Sequence, residues 1–151
     1  MPRYFTLSES ERLLPEVEIV LREAVAHKSV YSAADEKLEN AARKIRESGG
    51  ANLDRGAYLE SRARRDSSAI ALKAALERID QLGAQVKDLD IGLIDFLSIY
   101  QGREVCLCWK LGEERIAFWH SIDEGFRGRK PIDDEFRAAQ SGAPEDDRAP
   151  N

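Results

Sequence analysis

The most constraining feature of this chain is an apolar stripe between Val17 and Ile45. Val17, Val20, Ala24, His27, Tyr31, Ala34, Leu38, Ala41 and Ile45 recur at alternating steps of three and four. That is the period of a coiled-coil seam, and its alanines permit the close approach of a neighbouring helix. Upstream, Thr6-Leu7-Ser8-Glu9 has the form of a capping box, in which Thr6 and Glu9 satisfy each other's backbone donors. It predicts a short helix over Leu7–Leu14. Pro15 lacks a backbone donor and disfavours helix at the residue before it, so a break or kink is expected at Leu14-Pro15. The main helix then runs to about Ser48, where Gly49-Gly50 ends it.

A second helix is predicted from Asp54 to Leu82. Ala69, Leu72, Leu76 and Ile79 repeat the three-four spacing, and Gly83 terminates it. Arg55, Arg62, Arg64 and Arg65 interrupt any stripe in its first half. The two helices read as an antiparallel hairpin whose turn end is thin in core residues. A helix of about 34 residues is roughly 50 Å long, whereas a short strand covers only ~17–20 Å. A small sheet cannot cover such a hairpin, so self-association as a homodimer is expected. A solvated helical arm is the plainer alternative. His27, a polar member of the seam, either reaches its rim or sets register.

After Gly83 the composition turns β-branched and aromatic. Leu93–Tyr100 reads as a strand, Gln101-Gly102 as a tight turn, and Glu104–Leu111 as a second strand. Val105, Leu107, Trp109 and Leu111 fall on one face of the latter, Cys106 and Cys108 on the other. A third strand is expected over Arg115–Ser121. The predicted fold class is thus α+β: a long antiparallel helical hairpin, with a short N-terminal helix, packed on a small three-stranded antiparallel meander. The expected organisation is one domain over residues 1–136, with the hairpin at 5–83, the sheet at 84–132, and an unstructured tail from Arg137 to the end at 151.

Composition removes several functions. The formal net charge is −5, which disfavours a nucleic-acid binder whose affinity rests on neutralising phosphates. No apolar stretch approaches the ~20 residues that span a membrane, and the start of the sequence lacks the apolar run of a signal peptide. Two cysteines make no disulfide scaffold, so a cytoplasmic location is expected. Cys106 and Cys108, two apart on one strand face, read as small apolar residues rather than a disulfide or a zinc site.

Three stretches carry a family resemblance. They are Lys87-Asp88-Leu89-Asp90-Ile91-Gly92-Leu93-Ile94-Asp95-Phe96, Cys108-Trp109-Lys110-Leu111-Gly112-Glu113, and the run from Trp119-His120 through Asp123-Glu124-Gly125-Phe126 to Pro131-Ile132. With Phe5-Thr6-Leu7-Ser8-Glu9 at the start, the chain resembles an uncharacterised bacterial domain-of-unknown-function family from about Phe5 to Ile132. The resemblance implies a helical hairpin with a sheet and carries no activity, cofactor or catalytic residue with it.

The candidate chemistry lies in the polar set Asp88, Asp90, Asp95, His120, Asp123 and Glu124. Carboxylates with one imidazole can hold Mg²⁺, Mn²⁺ or Zn²⁺. In that reading Asp95, His120 and Asp123 hold a divalent metal ion, Glu124 is a catalytic general base, and Arg127 and Arg129 bind an anionic substrate. Opposed to it is a structural reading: Asp88, Asp90 and Asp123 suit turns, and Asp95 could pair with Arg103 or Arg129. Two functions therefore stand side by side. One is a self-associating interaction or scaffold module that meets an unknown protein partner. The other is a metal-dependent, hydrolytic enzyme acting on a small anionic substrate.

Overall fold

The computed structural model describes residues 3–50 and 53–140. Two helices, α1 (Leu7–Ser48) and α2 (Arg55–Leu82), are followed by strands β1 (Gln85–Asp88), β2 (Leu93–Tyr100), β3 (Arg103–Lys110), β4 (Phe118–Ser121) and β5 (Lys130–Pro131). A 3-10 turn, Phe126–Gly128, precedes β5, and a short helix, α3, covers residues 134–140. The fold is α+β: a long helical hairpin, a five-stranded antiparallel sheet in the order β1-β2-β3-β4-β5, and a short C-terminal helix. The chain forms two compact units. One comprises residues up to Val20 together with those from Arg78 onward; the other is Leu21–Glu77.

In the first unit the capping box forms as expected. Thr6 N–H donates to Glu9 Oε1 at 2.9 Å and Glu9 N–H to Thr6 Oγ1 at 3.0 Å. No break falls at Leu14-Pro15 and the short helix expected over Leu7–Leu14 is not separate, because α1 is one helix of 42 residues with Pro15 inside it. Leu14 and Val17, on either side of the proline, are both buried. Their burial outweighs the hydrogen bond that proline deletes, which is how tertiary packing overrides a local helix breaker.

The sheet has more strands than the meander expected from the pattern. β2 and β3 pair in full register from Leu93↔Lys110 to Tyr100↔Arg103, around a turn in which Gln101 and Gly102 both have positive φ, 52° and 75°. That is the primed turn whose twist suits a hairpin. β1 and β5 were invisible as strands for one reason: they are edges. Lys87, Lys130 and Pro131 sit there instead of alternating apolar residues, a composition that discourages pairing with other chains. Likewise, residues 137–140, expected to open an unstructured tail, are helical instead. Asp133 Oδ1 accepts from Phe136 N–H at 2.8 Å and caps α3. Phe136 packs with Tyr100 and Trp119 at ring separations of 4.3 and 5.4 Å, and Gln140 bonds both Leu7 N–H and the Ile99 carbonyl. Residues 141–151 lie outside the described residues.

Alternation sends Ile94, Phe96, Leu107 and Trp109 to one face of the sheet, all fully buried. Phe5 meets Phe96 edge-on at 5.5 Å, and Gly83 must be glycine because a Cβ there would lie 2.1 Å from the Phe5 ring. Leu93, Asp95, Cys106, Cys108 and His120 point to the opposite face, and they too are buried.

In the second unit the seam holds as far as Leu38: Ala24, Ala34 and Leu38 are buried, and His27 and Tyr31 half-buried. Within this unit the buried positions of α2 are Ser68 and Ala75, with Ala69, Leu72 and Leu76 flanking them. Arg65 pairs with Asp35 across the hairpin at 3.6 Å. Asp54 Oδ1 accepts from Ala57 N–H at 3.0 Å and caps α2. Among the described residues, none from 39 to 50 or from 53 to 67 is fully buried.

Candidate metal centre

Sheet register builds the site. Cys106 on β3 lies opposite His120 on β4, while Asp95 on β2 lies opposite Cys108 and so is one diagonal step from Cys106. Three adjacent strands thus place a carboxylate, a thiol and an imidazole on one face, at the spacing of direct and diagonal cross-strand neighbours. One donor atom from each of Asp95, Cys106 and His120 lies within 4.8 Å of the others. The residues are 2%, 5% and 4% exposed, so water does not solvate them.

The hydrogen bonds of His120 show what the group lacks. Its Nδ1 is 2.8 Å from the Ser121 carbonyl oxygen, which can only accept, so Nδ1 carries a proton. Its Nε2 faces Asp95 Oδ2 at 3.1 Å. With a neutral imidazole, a nitrogen lone pair then meets a carboxylate lone pair, and this arrangement requires a proton or a metal cation between them. Among the described residues, Asp95 Oδ1 is buried with no hydrogen-bond partner. A histidine whose Nδ1–H is held by a carbonyl and whose Nε2 is free to donate is the arrangement found around bound metal ions. The group could hold a metal ion. Tetrahedral bonds of roughly 2.0–2.3 Å would draw the donors to about 3.5 Å apart, a change within reach of side-chain torsions.

Burial, and next the charge of Asp95, push the Cys106 thiol up to about 11 and the Cys108 thiol up to about 12. Without a cation both remain thiols at neutral pH. A metal ion would have to displace the Cys106 proton, which couples binding to pH.

A pocket of about 470 Å³ opens over these donors. Leu97, Ile122 and Phe126 form apolar walls, and Lys87, Glu104 and Glu124 bring charge.

Of the residues singled out in the sequence, Asp95 and His120 converge across the central β3. Asp123 is exposed and is not one of the clustered donors. Glu124 is also exposed: Lys130 Nζ donates to it at 2.6 Å and Ser121 Oγ at 2.9 Å. Those bonds hold its carboxyl down at about 2, which makes it a weak proton acceptor at neutral pH. Arg127 is exposed on the 3-10 turn. Arg129 donates to both Glu113 oxygens, at 2.7 and 2.9 Å, and stacks on Phe118 at 4.1 Å, so its charge is already matched internally. Asp88 caps a turn, accepting from Asp90 N–H at 2.9 Å. Cys106 is the residue that sequence reasoning passed over. The signal for it is the register that sets it opposite His120, which depends on how β4 pairs.

A family model described as "Uncharacterized conserved protein (DUF2203)" matches residues 3–132. The chain belongs to that family. The match covers the whole sheet and all three clustered donors but stops before α3, so the family's shared region contains the candidate centre. No curated protein and no solved structure matches the chain. Among the described residues, no helix is long and apolar enough to cross a membrane.

Proposed function

We propose that this DUF2203 protein is a metal-dependent enzyme whose ion sits among Asp95, Cys106 and His120. The observation that carries this reading is the Nε2 of His120, which is aimed at a buried Asp95 oxygen with Cys106 beside it. The mixed nitrogen, oxygen and sulfur donors favour Zn²⁺ over Mg²⁺ or Ca²⁺, which prefer oxygen alone. Asp95, Cys106 and His120 would hold the ion, and three protein donors are the number that catalytic rather than structural zinc sites use. An ion there would supply Lewis acidity and a water acidified to near neutrality, which suits hydrolysis. The Ser121 carbonyl, by holding the Nδ1 proton, orients the Nε2 lone pair of His120. Elemental analysis of the purified protein checks this: about one zinc-class ion per chain is expected, lost in His120→Ala and Cys106→Ser. Metal-free protein that gains no thermal stability from Zn²⁺, Co²⁺ or Mn²⁺ would defeat it.

A second reading concerns the hairpin, which would act as an interaction or scaffold module by pairing with another copy. It is supported by Ile45 and Leu59, which are 38% and 55% exposed in stretches, 39–50 and 53–67, with no fully buried described residue, and by Val30, which is 41% exposed. Analytical ultracentrifugation over a wide concentration range decides it. A dimer is expected, and a strict monomer overturns it.

A further inference from the structure

On α1, the exposed residues Glu23, Val30, Lys37 and Lys44 recur at intervals of seven. Seven residues are close to two helical turns, so the four fall along one flank, with exposed Ala26 and Ala33 between them. All of them lie within the second unit, on a face other than the one that buries Ala24 and Leu38.

Beside this flank the hairpin is incompletely filled. A hollow of about 250 Å³ is lined by Val30, Ala33, Ala34, Lys37, Ser61 and Arg64. Another of about 290 Å³ shares Lys37 and Ser61 with it and reaches Ala41, Lys44 and Tyr58. Alanine and serine in their walls leave room that a helix laid along the flank would fill with its own side chains.

Charge indicates which helix fits. Glu23 and Lys37 stand seven residues to either side of Val30, and neither makes an ion pair among the described residues. A two-fold axis at Val30, with the second α1 antiparallel to the first, sets each Glu23 beside Lys37 of the other copy. Parallel pairing would instead set Glu23 against Glu23 and Lys37 against Lys37. Exposed Arg22 and Glu36, seven residues to either side of Ser29, obey the same rule and meet as opposites. The other charges lining the hollows are matched within one copy: Lys44 shares its hollow with Asp54, and Arg64 pairs with Glu60 at 3.2 Å.

We propose that two copies of this chain pair through the Val30 flank of α1, antiparallel about Val30, with Glu23 of each against Lys37 of the other. This inference rests on the self-association reading and gives it a surface and a direction. Exposed ion pairs contribute little, so charge sets the sense of pairing and the filled hollows supply its strength.

Analytical ultracentrifugation of the full chain and its charge variants provides the test. Glu23→Lys and Lys37→Glu should each weaken the dimer about tenfold, since each creates two like-charge contacts. The double variant should restore it, and a mixture of the two single variants should associate more tightly than either alone. Added salt should narrow those differences. Direction is read separately from spin labels at Ser48→Cys, because Cys106 and Cys108 are buried. Antiparallel pairing about Val30 holds the two labels about 54 Å apart, at 1.5 Å per residue, and parallel pairing within about 20 Å. Single variants that associate like the wild type, a double variant no better than the singles, or labels within about 20 Å overturn the inference while a dimer stands. A wild-type chain that stays monomeric at every concentration defeats the self-association reading, and this surface falls with it.

Discussion

The sheet and the turn end of the hairpin are built on opposite terms. Every residue of β3 from Val105 to Trp109 is buried, so both faces of the central strand are covered. No described residue of 39–50 or 53–67 is. Where burial is complete, the energetic cost of a polar side chain is high, and Asp95 and His120 persist only by facing each other. Where burial is absent, charged residues cost nothing and fix nothing. A buried polar cluster is therefore informative about function, and the charges of the hairpin end are not.

Mutations can break or sharpen that contrast. Trp109 is fully buried, and its Nε1–H donates to the Glu113 carbonyl at 3.0 Å. Trp109→Ala should cost about 3–5 kcal/mol in chemical denaturation. His120→Leu strands the buried carboxylate of Asp95 and should cost about 3 kcal/mol in metal-free protein. The double variant with Asp95→Leu should recover most of that loss; if it is no better than the single, the pair is not coupled as the 3.1 Å contact requires. Arg129→Met should cost about 1–2 kcal/mol, the scale of charged hydrogen bonds, since it releases Glu113 and uncovers Phe118.

Glu124 gives a smaller effect with a defined pH window. Its carboxyl is lowered from 4.5 to about 2 by Lys130 and Ser121. The unfolded chain therefore takes up the proton first as pH falls. The contribution is complete above about pH 4.5 and disappears as pH drops through about 2. Glu124→Gln should flatten that part of an acid titration of stability, and an unchanged curve would remove Glu124 from the account. Smallest is Leu59→Ala, within about 0.5 kcal/mol if the side chain meets only water. A larger loss that grows with protein concentration would instead show that a second copy covers it.

Much of the architecture was legible where a periodic pattern met strong punctuation. Thr6 and Glu9, the seam through Leu38, the start of α2 near Asp54 and the Gln101-Gly102 turn all combine local signals that agree with the final fold. Pro15 misled because its local penalty is outweighed by the burial of Leu14 and Val17. Of the candidate centre, Asp95 and His120 stood out as chemistry-bearing residues. Cys106 did not, since a buried cysteine on a strand looks the same whether it fills space or faces a ligand.

By itself, the amino-acid sequence determined the helical hairpin, the β2–β3 pair and the caps, because helix period, strand alternation and turn chemistry act over a few neighbouring residues. Only the tertiary structure decided the edge strands β1 and β5, the docking of α3 through Phe136 and Gln140, and the meeting of Asp95, Cys106 and His120. Those features depend on how strands register and what packs against them, which no local pattern encodes. In a strand a shift of one residue turns every side chain to the other face, and nothing short of the folded sheet chooses between the two.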